Sequence, residues 1–476
     1  MSVCCATNDK SKNGYDLAVI GAGSAGFSAA ITAAEQGANV ALVGHGLIGG
    51  TCVNVGCVPS KTMIRAAEAL HGARAAGRFP GLAGEANVTD WGRLIAAKDD
   101  LVVTLRQKKY IDLLPEYNGL AYLEGTARLS GRGVVVDDAA IAADKIIVAT
   151  GSSPGLPDIP GISDVPYLTS TTALELTGRP ASLMVVGGGY VGCELAQMFA
   201  RVGTKVTLVT RNRLLPEAEP EISDALARYL SDDGISVLTG LSYRAIKTVE
   251  NGVELSIDRE DRTEFLTAQY VLVATGRRPN SAGLGLEEAG VTLSLNGGIV
   301  VDDRMRTPKP GVYAAGDVTG CDQFVYMAAY GAKLAALNAL NGDSLACDNS
   351  AMPWVVFTDP QVAGVGLSEA QAKAQGIATK ISVLPLDQLP RALAARDTRG
   401  LIKLVADAET DRLLGAQILA PEGADSIQTA VLAIKHGMTA KALGETIFPY
   451  LTTVEGLKLA AQGFGKDVAK LSCCAG

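Results

Sequence analysis

The sequence predicts an α/β protein with two Rossmann-like dinucleotide-binding domains and a C-terminal α+β domain. The two Rossmann-like domains are predicted by Gly-x-Gly-x-x-Gly at residues 21–26 and again at residues 187–192. Each glycine motif follows an apolar strand-like run and opens a helical stretch that leads to a second strand, which is the context that dinucleotide binding requires. The α+β domain is predicted by a change to mixed strand-like and helix-like segments from Met352 onward.

Length, composition and charge exclude several classes of protein. A chain of 476 residues, 48% of them hydrophobic, is too long for one hydrophobic core, so about two to four domains are expected. The net charge of −8 argues against nucleic-acid binding, which requires clustered Lys and Arg. No apolar run approaches the roughly 20 residues of a membrane span, and residues 1–13, a predicted flexible arm, lack the apolar core of a secretory signal. We therefore expect a cytoplasmic protein that uses neither a membrane nor nucleic acid.

The first glycine motif consists of Gly21, Gly23 and Gly26, between predicted strands at residues 15–20 and 39–43. The first two glycines allow a tight turn and the close approach of a pyrophosphate, and the third allows the helix to pack on the strand. The motif usually has an acid at the end of the second strand to bind the ribose hydroxyls, but Gly44 occupies that position. The contact to this ribose is therefore left unassigned.

The segment from Gly49 to Lys61 carries Cys52 and Cys57, which are separated by four residues in a Gly-flanked loop. Pro59 predicts the first turn of a helix, and the free N–H groups of such a helix start favour a thiolate at Cys57. The two thiols are close enough in sequence to cycle between dithiol and disulfide. The alternatives are two ordinary buried cysteines or half of a metal site, although the second Cys or His pair of such a site is not nearby.

The second glycine motif consists of Gly187, Gly189 and Gly192. Its ribose-reading position is Thr210 rather than an acid, and Arg211 and Arg213 follow. Because Arg suits a 2′-phosphate where an acid would suit a free hydroxyl, this unit favours NADPH over NADH. The alternative is that both arginines lie on a solvated loop. Two dinucleotide-binding units predict two dinucleotides, of which FAD would be bound tightly and the nicotinamide nucleotide would exchange.

The segment GGTCVNVGCVPSK resembles the redox-active segment of the flavoprotein disulfide reductase family, which includes glutathione reductase, thioredoxin reductases and mercuric reductase. Ala-Thr-Gly after a strand at residues 149–151 and again at residues 274–276, and Gly316-Asp317, resemble further parts of that family. The resemblance implies FAD contacts from Gly50, Thr51, Lys61, Gly151 and Asp317, besides Gly21, Gly23 and Gly26, and an NADPH contact from Gly276. It also implies that Tyr190 is a movable cover over the flavin, that Lys61 pairs with Glu194, that Cys57 contacts the flavin and that Cys52 exchanges with substrate.

The family's organisation implies the domains and the assembly. We predict an FAD-binding domain at residues 14–155 and 278–349, an NADPH-binding domain at residues 156–277 and a dimerisation domain with a Cys-Cys tail at residues 350–476. The implied assembly is a homodimer in which each active site is completed by the partner subunit.

Two features near the C-terminus select one branch of the family. Members that reduce an organic disulfide carry an acid–base His five residues before a Glu, but the residue five before Glu455 is Tyr450. A phenol, with an ordinary pKa near 10, is a poor proton shuttle at neutral pH. The vicinal Cys473 and Cys474, together with Tyr450, resemble the mercuric reductase branch, whose substrate is a Hg(II)-dithiolate. A second vicinal pair, Cys4-Cys5, is either two exposed thiols or a trap for soft metal ions.

We therefore expect NADPH-dependent reduction of Hg(II) to Hg(0), with Hg(II) passed from Cys473 and Cys474 to the partner subunit's Cys52 and Cys57. One alternative is a thioredoxin-reductase-like enzyme, which the missing His disfavours. The other is a flavoprotein that binds Hg(II) without turnover, which the two dinucleotide motifs disfavour because storage needs no hydride source. We expect no activity on organomercurials, because no group is identified that would protonate the carbon–mercury bond.

Overall fold

The computed structural model describes residues 14–131 and 133–470, apart from the side chain of residue 469. The strands are β1 (Tyr15–Ile20), β2 (Val40–Gly44), β3 (Leu120–Glu124), β4 (Ala127–Ser130), β5 (Gly133–Val136), β6 (Ala139–Ile141), β7 (Ala143–Val148), β8 (Ser152–Pro154), β9 (Tyr167–Leu168), β10 (Ser182–Val186), β11 (Lys205–Val209), β12 (Ser236–Leu238), β13 (Ser242–Val249), β14 (Gly252–Arg259), β15 (Arg262–Ala268), β16 (Tyr270–Val273), β17 (Arg277–Pro279), β18 (Val312–Ala314), β19 (Pro353–Val356), β20 (Gln361–Gly366), β21 (Thr379–Pro385), β22 (Leu401–Asp407) and β23 (Leu413–Ala420). The α-helices are α1 (Ser24–Glu35), α2 (Gly50–Asn54), α3 (Cys57–Arg74), α4 (Trp91–Arg106), α5 (Ser170–Ala173), α6 (Tyr190–Arg201), α7 (Pro220–Asp232), α8 (Val325–Asn341), α9 (Glu369–Ala374), α10 (Pro390–Ala395), α11 (Gly423–Lys435), α12 (Ala440–Glu445) and α13 (Glu455–Gln462).

The chain divides into two compact units. The first comprises the residues up to Ser60, Arg93–Gly155 and Arg277–Asp348, and the second comprises Lys61–Gly92, Leu156–Gly276 and the residues from Asn349 onward. Within the part of the chain that the structure describes, no helix combines the length and the apolar character needed to cross a membrane.

The first unit is built on a five-stranded parallel sheet in the order β18-β7-β1-β2-β3. The central strand β1 is buried along its last four residues and β2 along its whole length, as expected for a parallel sheet that is covered by helices. The glycines at the β1–α1 turn are required by close backbone approach. Gly21 has φ +116°, and a Cβ on Gly26 would lie 1.7 Å from the carbonyl oxygen of Gly21. This turn therefore brings the start of α1 tightly against the end of β1.

The second unit contains a parallel sheet in the order β12-β11-β10-β16-β9 with the same kind of turn between β10 and α6. Gly187 also has φ +116°, and a Cβ on Gly192 would lie 1.9 Å from the Gly187 oxygen. The two glycine motifs thus fold into closely similar strand–turn–helix structures. The same unit holds a five-stranded antiparallel sheet, β19-β20-β23-β22-β21, with helices packed on it. The predicted fold class, two Rossmann-like domains and an α+β domain, is confirmed.

A buried lysine connects α7 to the antiparallel sheet inside the second unit. The side chain of Lys403 is 2% exposed, and its Nζ lies 3.0 Å from carboxylate oxygens of Glu219, Glu221 and Glu369. Although burial opposes its charge, the hydrogen bonds to these carboxylates raise the pKa of Lys403. Lys403 thus stays charged and fixes the beginning of α7 against β22.

The C-terminal part of α3 takes part in a second ionic cluster of the second unit. His71 lies 3.6 Å from Asp233 and 3.9 Å from Asp359, next to Arg201 and Arg399. Burial, followed by the charge of Arg201, lowers the pKa of His71 despite the two carboxylates. The unfolded chain then binds more protons than the folded protein as the pH falls through about 6.5, the ordinary value, so the free energy of unfolding decreases in that range.

Replacing His71 with Asn should therefore reduce the loss of stability between about pH 7.5 and about pH 5.5. The slope of the unfolding free energy against pH should become shallower by at most about 1.4 kcal/mol per pH unit, the limit for one proton. Chemical denaturation of both proteins across this range measures the slopes. An equal slope in the two proteins would mean that His71 does not carry the effect.

Candidate active site

Cys52 and Cys57 belong to the first unit and lie on two successive helices, the short α2 and the longer α3. Cys52 is inside α2, and Cys57 is the first residue of α3. The predicted helix at Pro59 is therefore confirmed, and it begins two residues earlier, with Pro59 in the first turn, where a missing N–H has no consequence. Both cysteines are partly buried. The start of α3 at Cys57 favours the thiolate form of this residue.

Asn54 fixes the turn that separates the two cysteines. Its Nδ2 donates to the carbonyl oxygens of Ile48 and Gly50, at 2.9 Å and 2.8 Å. Its Oδ1 accepts a hydrogen bond of 3.0 Å from Arg106 on α4. The sequence interpretation missed Asn54 and Arg106. The position of Asn54 between two cysteines was a possible signal, whereas Arg106 is distant in sequence and carried none.

Gly50 brings the cysteine segment directly against the first glycine motif. Its φ is +66°, and a Cβ there would lie 2.6 Å from the Cα of Gly23. Two glycines thus meet backbone to backbone at the beginning of α1, where dinucleotide phosphates bind. The predicted FAD contacts Gly23 and Gly50 therefore lie next to each other, and a turn without side chains at this place fits the phosphates of a dinucleotide.

Position 44, where this motif usually has an acidic residue, can accommodate a side chain only if the backbone shifts. A Cβ at Gly44 would lie 2.5 Å from the Cβ of Ala22. The neighbouring His45 is exposed. The space that an acidic side chain would need is thus taken by the Ala22 methyl group, and the ribose contact stays unassigned.

Tyr110 lies in the electrostatic environment of both thiols and was missed by the sequence interpretation. Its hydroxyl is 3.5 Å from Ser24 Oγ, and its ring packs edge-on against Phe27 with the centroids 4.9 Å apart. Burial raises the pKa of Tyr110, and negative charge on Cys52 and Cys57 raises it further. The phenol therefore remains protonated beside the thiols.

Asp317 belongs to a polar cluster with Ser152 and Arg277. Ser152 Oγ donates to Asp317 Oδ2 at 2.6 Å, and Arg277 Nε donates to Ser152 Oγ at 2.7 Å and lies 3.8 Å from Asp317 Oδ2. Burial lowers the pKa of Arg277, and the negative charges of Asp317 and Cys57 oppose this effect. Arginine remains charged at neutral pH even when its pKa is lowered in this way. Arg277 therefore supplies a positive charge that favours the Cys57 thiolate.

Lys61 and Glu194 form an ion pair inside the second unit. Lys61 Nζ lies 2.6 Å from Glu194 Oε2, with 34% and 6% of the two side chains exposed. The other carboxylate oxygen of Glu194 accepts a 2.9 Å hydrogen bond from the backbone N–H of Phe357. The ammonium group also lies 5.0 Å from the centre of the Phe357 ring, within the range of a cation–π interaction. Phe357 is a residue that the sequence interpretation missed.

Tyr190 is the first residue of α6 and stacks on an aromatic residue of β19. The rings of Tyr190 and Trp354 have centroids 5.7 Å apart and an interplanar angle of 20°. Burial, and then the charge of Glu217, raises the pKa of Tyr190. The phenol is therefore neutral, and its ring has a defined position on the indole.

Arg211 and Arg213 have different surroundings although both follow β11. Arg211 is exposed, and its guanidinium lies 6.0 Å from the centre of the Tyr243 ring. Arg213 Nη2 donates to the carbonyl oxygens of Pro216 and Ala218, at 2.8 Å and 2.7 Å. Arg211 is thus better placed for a 2′-phosphate, whereas Arg213 organises the backbone of the loop that follows.

The turn that carries Tyr450 is held by Glu455. The Glu455 carboxylate accepts a 3.1 Å hydrogen bond from the backbone N–H of Leu451, which has φ +62°. Tyr450 is 51% exposed, and the nearby Ile447 is 94% exposed. The predicted site residues Cys473 and Cys474, and the Cys4-Cys5 pair, lie outside the described residues.

Comparison with known proteins gives matches over nearly the whole chain. The family model for pyridine nucleotide-disulphide oxidoreductases matches residues 15–336, and the model for the dimerisation domain of the same family matches residues 352–461. A mercuric reductase from Streptomyces lividans is 48% identical over 97% of this chain and 99% of its own length. A mercuric reductase from Staphylococcus aureus is 46% identical over 97% of this chain and 84% of its own length. The solved structure of the HOCl-induced flavoprotein disulfide reductase RclA from Escherichia coli is 32% identical, with a TM-score of 0.83 over 94% of this chain and 99% of that protein.

Proposed function

Because the chain belongs to the pyridine nucleotide-disulphide oxidoreductase family, we propose that it reduces Hg(II) to Hg(0) with electrons from NADPH through FAD and the thiols of Cys52 and Cys57. Its family makes it an NADPH-dependent flavoprotein oxidoreductase, and the predicted cofactors, FAD and NADPH, are confirmed. The resemblance to mercuric reductases is also confirmed. The observation that carries the choice of substrate is Tyr450, a half-exposed phenol at the position of the acid–base His of disulfide-reducing relatives.

The proposed cofactor contacts follow the two glycine turns. FAD would be held by Gly21, Gly23, Gly26, Gly50, Thr51, Lys61, Gly151 and Asp317. NADPH would be held by Gly187, Gly189, Gly192, Arg211 and Gly276, with Arg213 supporting the loop after β11. The chemistry that bound FAD would supply is the acceptance of a hydride from NADPH and the donation of two electrons to Hg(II). The remaining steps belong to the side chains of the protein.

The two thiolates are the proposed ligands of the substrate. Hg(II) is soft and selects thiolates, so Cys52 and Cys57 would each displace one thiolate ligand of the incoming complex. The positive charge of Arg277 and the start of α3 would both favour the thiolate form of Cys57, which this exchange requires. Lys61, oriented by Glu194, would favour the anionic reduced form of the flavin, and the Tyr450 hydroxyl would donate a hydrogen bond to a metal-bound sulfur. Tyr190 would cover the flavin until NADPH arrives.

We place delivery of Hg(II) between two copies of the chain, paired through the dimerisation domain. Cys473 and Cys474 would take Hg(II) from a small dithiolate by ligand exchange and pass it to the partner subunit's Cys52 and Cys57. Because each pair holds the ion with two sulfurs, transfer proceeds through three-coordinate states and releases no free ion. The cytoplasm, where NADPH is available and thiols remain reduced, is the proposed location.

The proposal is tested by NADPH oxidation with the FAD-loaded protein, Hg(II) and an excess of a small thiol, while mercury vapour is measured in the headspace. Hg(II)-dependent oxidation with a matching amount of vapour is expected. Oxidation only in the presence of a protein disulfide or glutathione disulfide would instead identify a thioredoxin-reductase-like enzyme. Binding of Hg(II) without vapour would identify a sequestering protein.

Replacing Cys474 with Ala should slow turnover about 10- to 100-fold when Hg(II) is held by a tight dithiol chelator, because the local concentration of acceptor thiols is lost. Turnover with weakly held Hg(II) should decrease much less. The matched control is Cys321→Ala, which removes an exposed thiol elsewhere in the chain. Steady-state rates with the two forms of Hg(II) measure the difference, and equal slowing in both would contradict the proposed delivery.

Replacing Arg211 with Ser should raise the KM for NADPH about 10- to 100-fold, because a charge-assisted hydrogen bond to the 2′-phosphate is lost. The KM for NADH should change little. Arg213→Ser is the matched control, and its loss of contacts to Pro216 and Ala218 should affect both nucleotides alike. A reversed pattern, with selectivity lost only in Arg213→Ser, would assign the 2′-phosphate to Arg213.

A further inference from the structure

One face of α6 is fastened to the segment Trp354–Asp359, which begins in β19. The residues of α6 that make these contacts are spaced by four, three and four positions, so they lie on one side of the helix. The contacts are the stacked rings of Tyr190 and Trp354 at 5.7 Å, the hydrogen bond from Phe357 N to Glu194 at 2.9 Å, the hydrogen bond from Asp359 N to Gln197 at 2.8 Å and the ion pair of Arg201 with Asp359 at 2.8 Å. The position of Trp354 relative to Tyr190 is therefore set by several contacts further along the same helix.

Gly364 provides the space in which the indole of Trp354 lies. The two residues face each other across the antiparallel pair β19 and β20. A Cβ on Gly364 would lie 2.3 Å from Cζ2 and 2.4 Å from Cε2 of the indole. Glycine is thus required here by the close approach of the ring. The indole is held close to the sheet, and Tyr190 stacks on it.

Tyr190 follows the glycine turn at which the phosphates of NADPH bind. Gly189 is the N-cap of α6 and Tyr190 is its first residue, so the side chain of Tyr190 stands beside the phosphate-binding backbone. The nicotinamide end of the nucleotide continues from these phosphates. A ring at this position has to make way for the nicotinamide or form part of its binding surface.

We propose that Trp354 is a positioning residue that holds the Tyr190 ring in its nucleotide-free position, and that binding of the nicotinamide nucleotide separates the two rings. This inference rests on the proposed role of Tyr190 as a cover, but not on the identity of the electron acceptor. Breaking the stack opposes nucleotide binding, and re-forming it promotes release of the oxidised nucleotide. Trp354, which belongs to the dimerisation domain, would therefore influence how readily the nucleotide reaches its binding site.

The first test uses the fluorescence of Trp354. The chain has two tryptophans, so Trp91→Phe leaves Trp354 as the only indole. NADP⁺ is the ligand, because it does not reduce the flavin and does not absorb in the range of indole emission. When the FAD-loaded Trp91→Phe protein is titrated with NADP⁺, the emission of Trp354 should change and the change should reach saturation. In Trp91→Phe/Tyr190→Leu the change should be absent, and its persistence there would overturn the inference.

The second test measures NADP⁺ affinity by calorimetry. Trp354→Leu should lower the Kd about two- to tenfold, the equivalent of one aromatic stack that no longer has to be broken. In the Tyr190→Leu background, Trp354→Leu should have no further effect, because the partner ring is already absent. An unchanged or higher Kd in the single Trp354→Leu variant would overturn the inference.

Both tests are independent of Hg(II). A protein that produces no mercury vapour would still show the two NADP⁺ effects if Trp354 holds Tyr190. Conversely, normal mercury reduction without these effects would leave the proposed function intact and remove only the role of Trp354.

Discussion

Replacing Cys57 with Ser should lower Hg(II)-dependent NADPH oxidation by at least about 10³-fold, the scale expected when a group that bonds to the substrate is removed. A hydroxyl is a hard ligand that is not ionised at neutral pH, so it would not replace the thiolate that we propose as a ligand of Hg(II). Only Cys52 would remain to hold the ion. Steady-state NADPH oxidation with thiol-bound Hg(II) measures the loss.

The spectrum of the flavin distinguishes the two cysteines. If Cys57 is the thiolate that contacts the flavin, Cys57→Ser should abolish the long-wavelength charge-transfer absorption of the reduced thiol form, whereas Cys52→Ser should retain it. Both variants should lose Hg(II) reduction. The matched control is Cys321→Ser, a change at an exposed thiol, which should alter neither the spectrum nor the rate. A charge-transfer band that survives in Cys57→Ser but not in Cys52→Ser would exchange the two roles.

The fold could be predicted from the sequence because its signals are local. The strand Tyr15–Ile20 has the predicted bounds, the strand predicted at residues 39–43 is Val40–Gly44, and α3 contains the predicted helix. The two glycine turns could be predicted because the first and last glycine of each motif are required by a close approach to a nearby residue or a neighbouring strand, such as that of Gly26 to the Gly21 oxygen. A six-residue pattern is enough to specify such a turn.

The residues that support the site could not be predicted in the same way. Tyr110, Phe357 and Trp354 approach the site residues only after distant parts of the chain have packed together. Their residue types carry no signal, because an aromatic residue in an apolar segment usually belongs to a hydrophobic core. Arg211 and Arg213 show a related limit, since their positions in the sequence predict the same role for both and only the fold reveals that Arg213 bonds to nearby carbonyl groups.

The second large effect is expected from Lys61, whose contact with Glu194 we propose to support both the stability of the fold and the reduction of the flavin. Lys61→Met preserves the length and much of the volume of the side chain but removes the charge opposite Glu194. The Glu194 carboxylate, 6% exposed, would then retain the backbone N–H of Phe357 without its cationic partner. We expect the free energy of unfolding of the FAD-loaded protein to fall by about 2–4 kcal/mol, because removing one partner of a buried pair leaves an uncompensated charge.

A second substitution separates the two consequences. In Lys61→Met/Glu194→Gln the buried charge is removed, and the Gln oxygen can still accept the hydrogen bond from Phe357 N, so most of the lost stability should return. The rate of flavin reduction by NADPH should be low in Lys61→Met and equally low in the double variant, since both lack the positive charge of Lys61. Lys61→Arg, which keeps that charge, is the control. Denaturant titrations and stopped-flow flavin absorbance give the two quantities, and a double variant that is no more stable than Lys61→Met would show that the stability of this contact does not come from charge pairing.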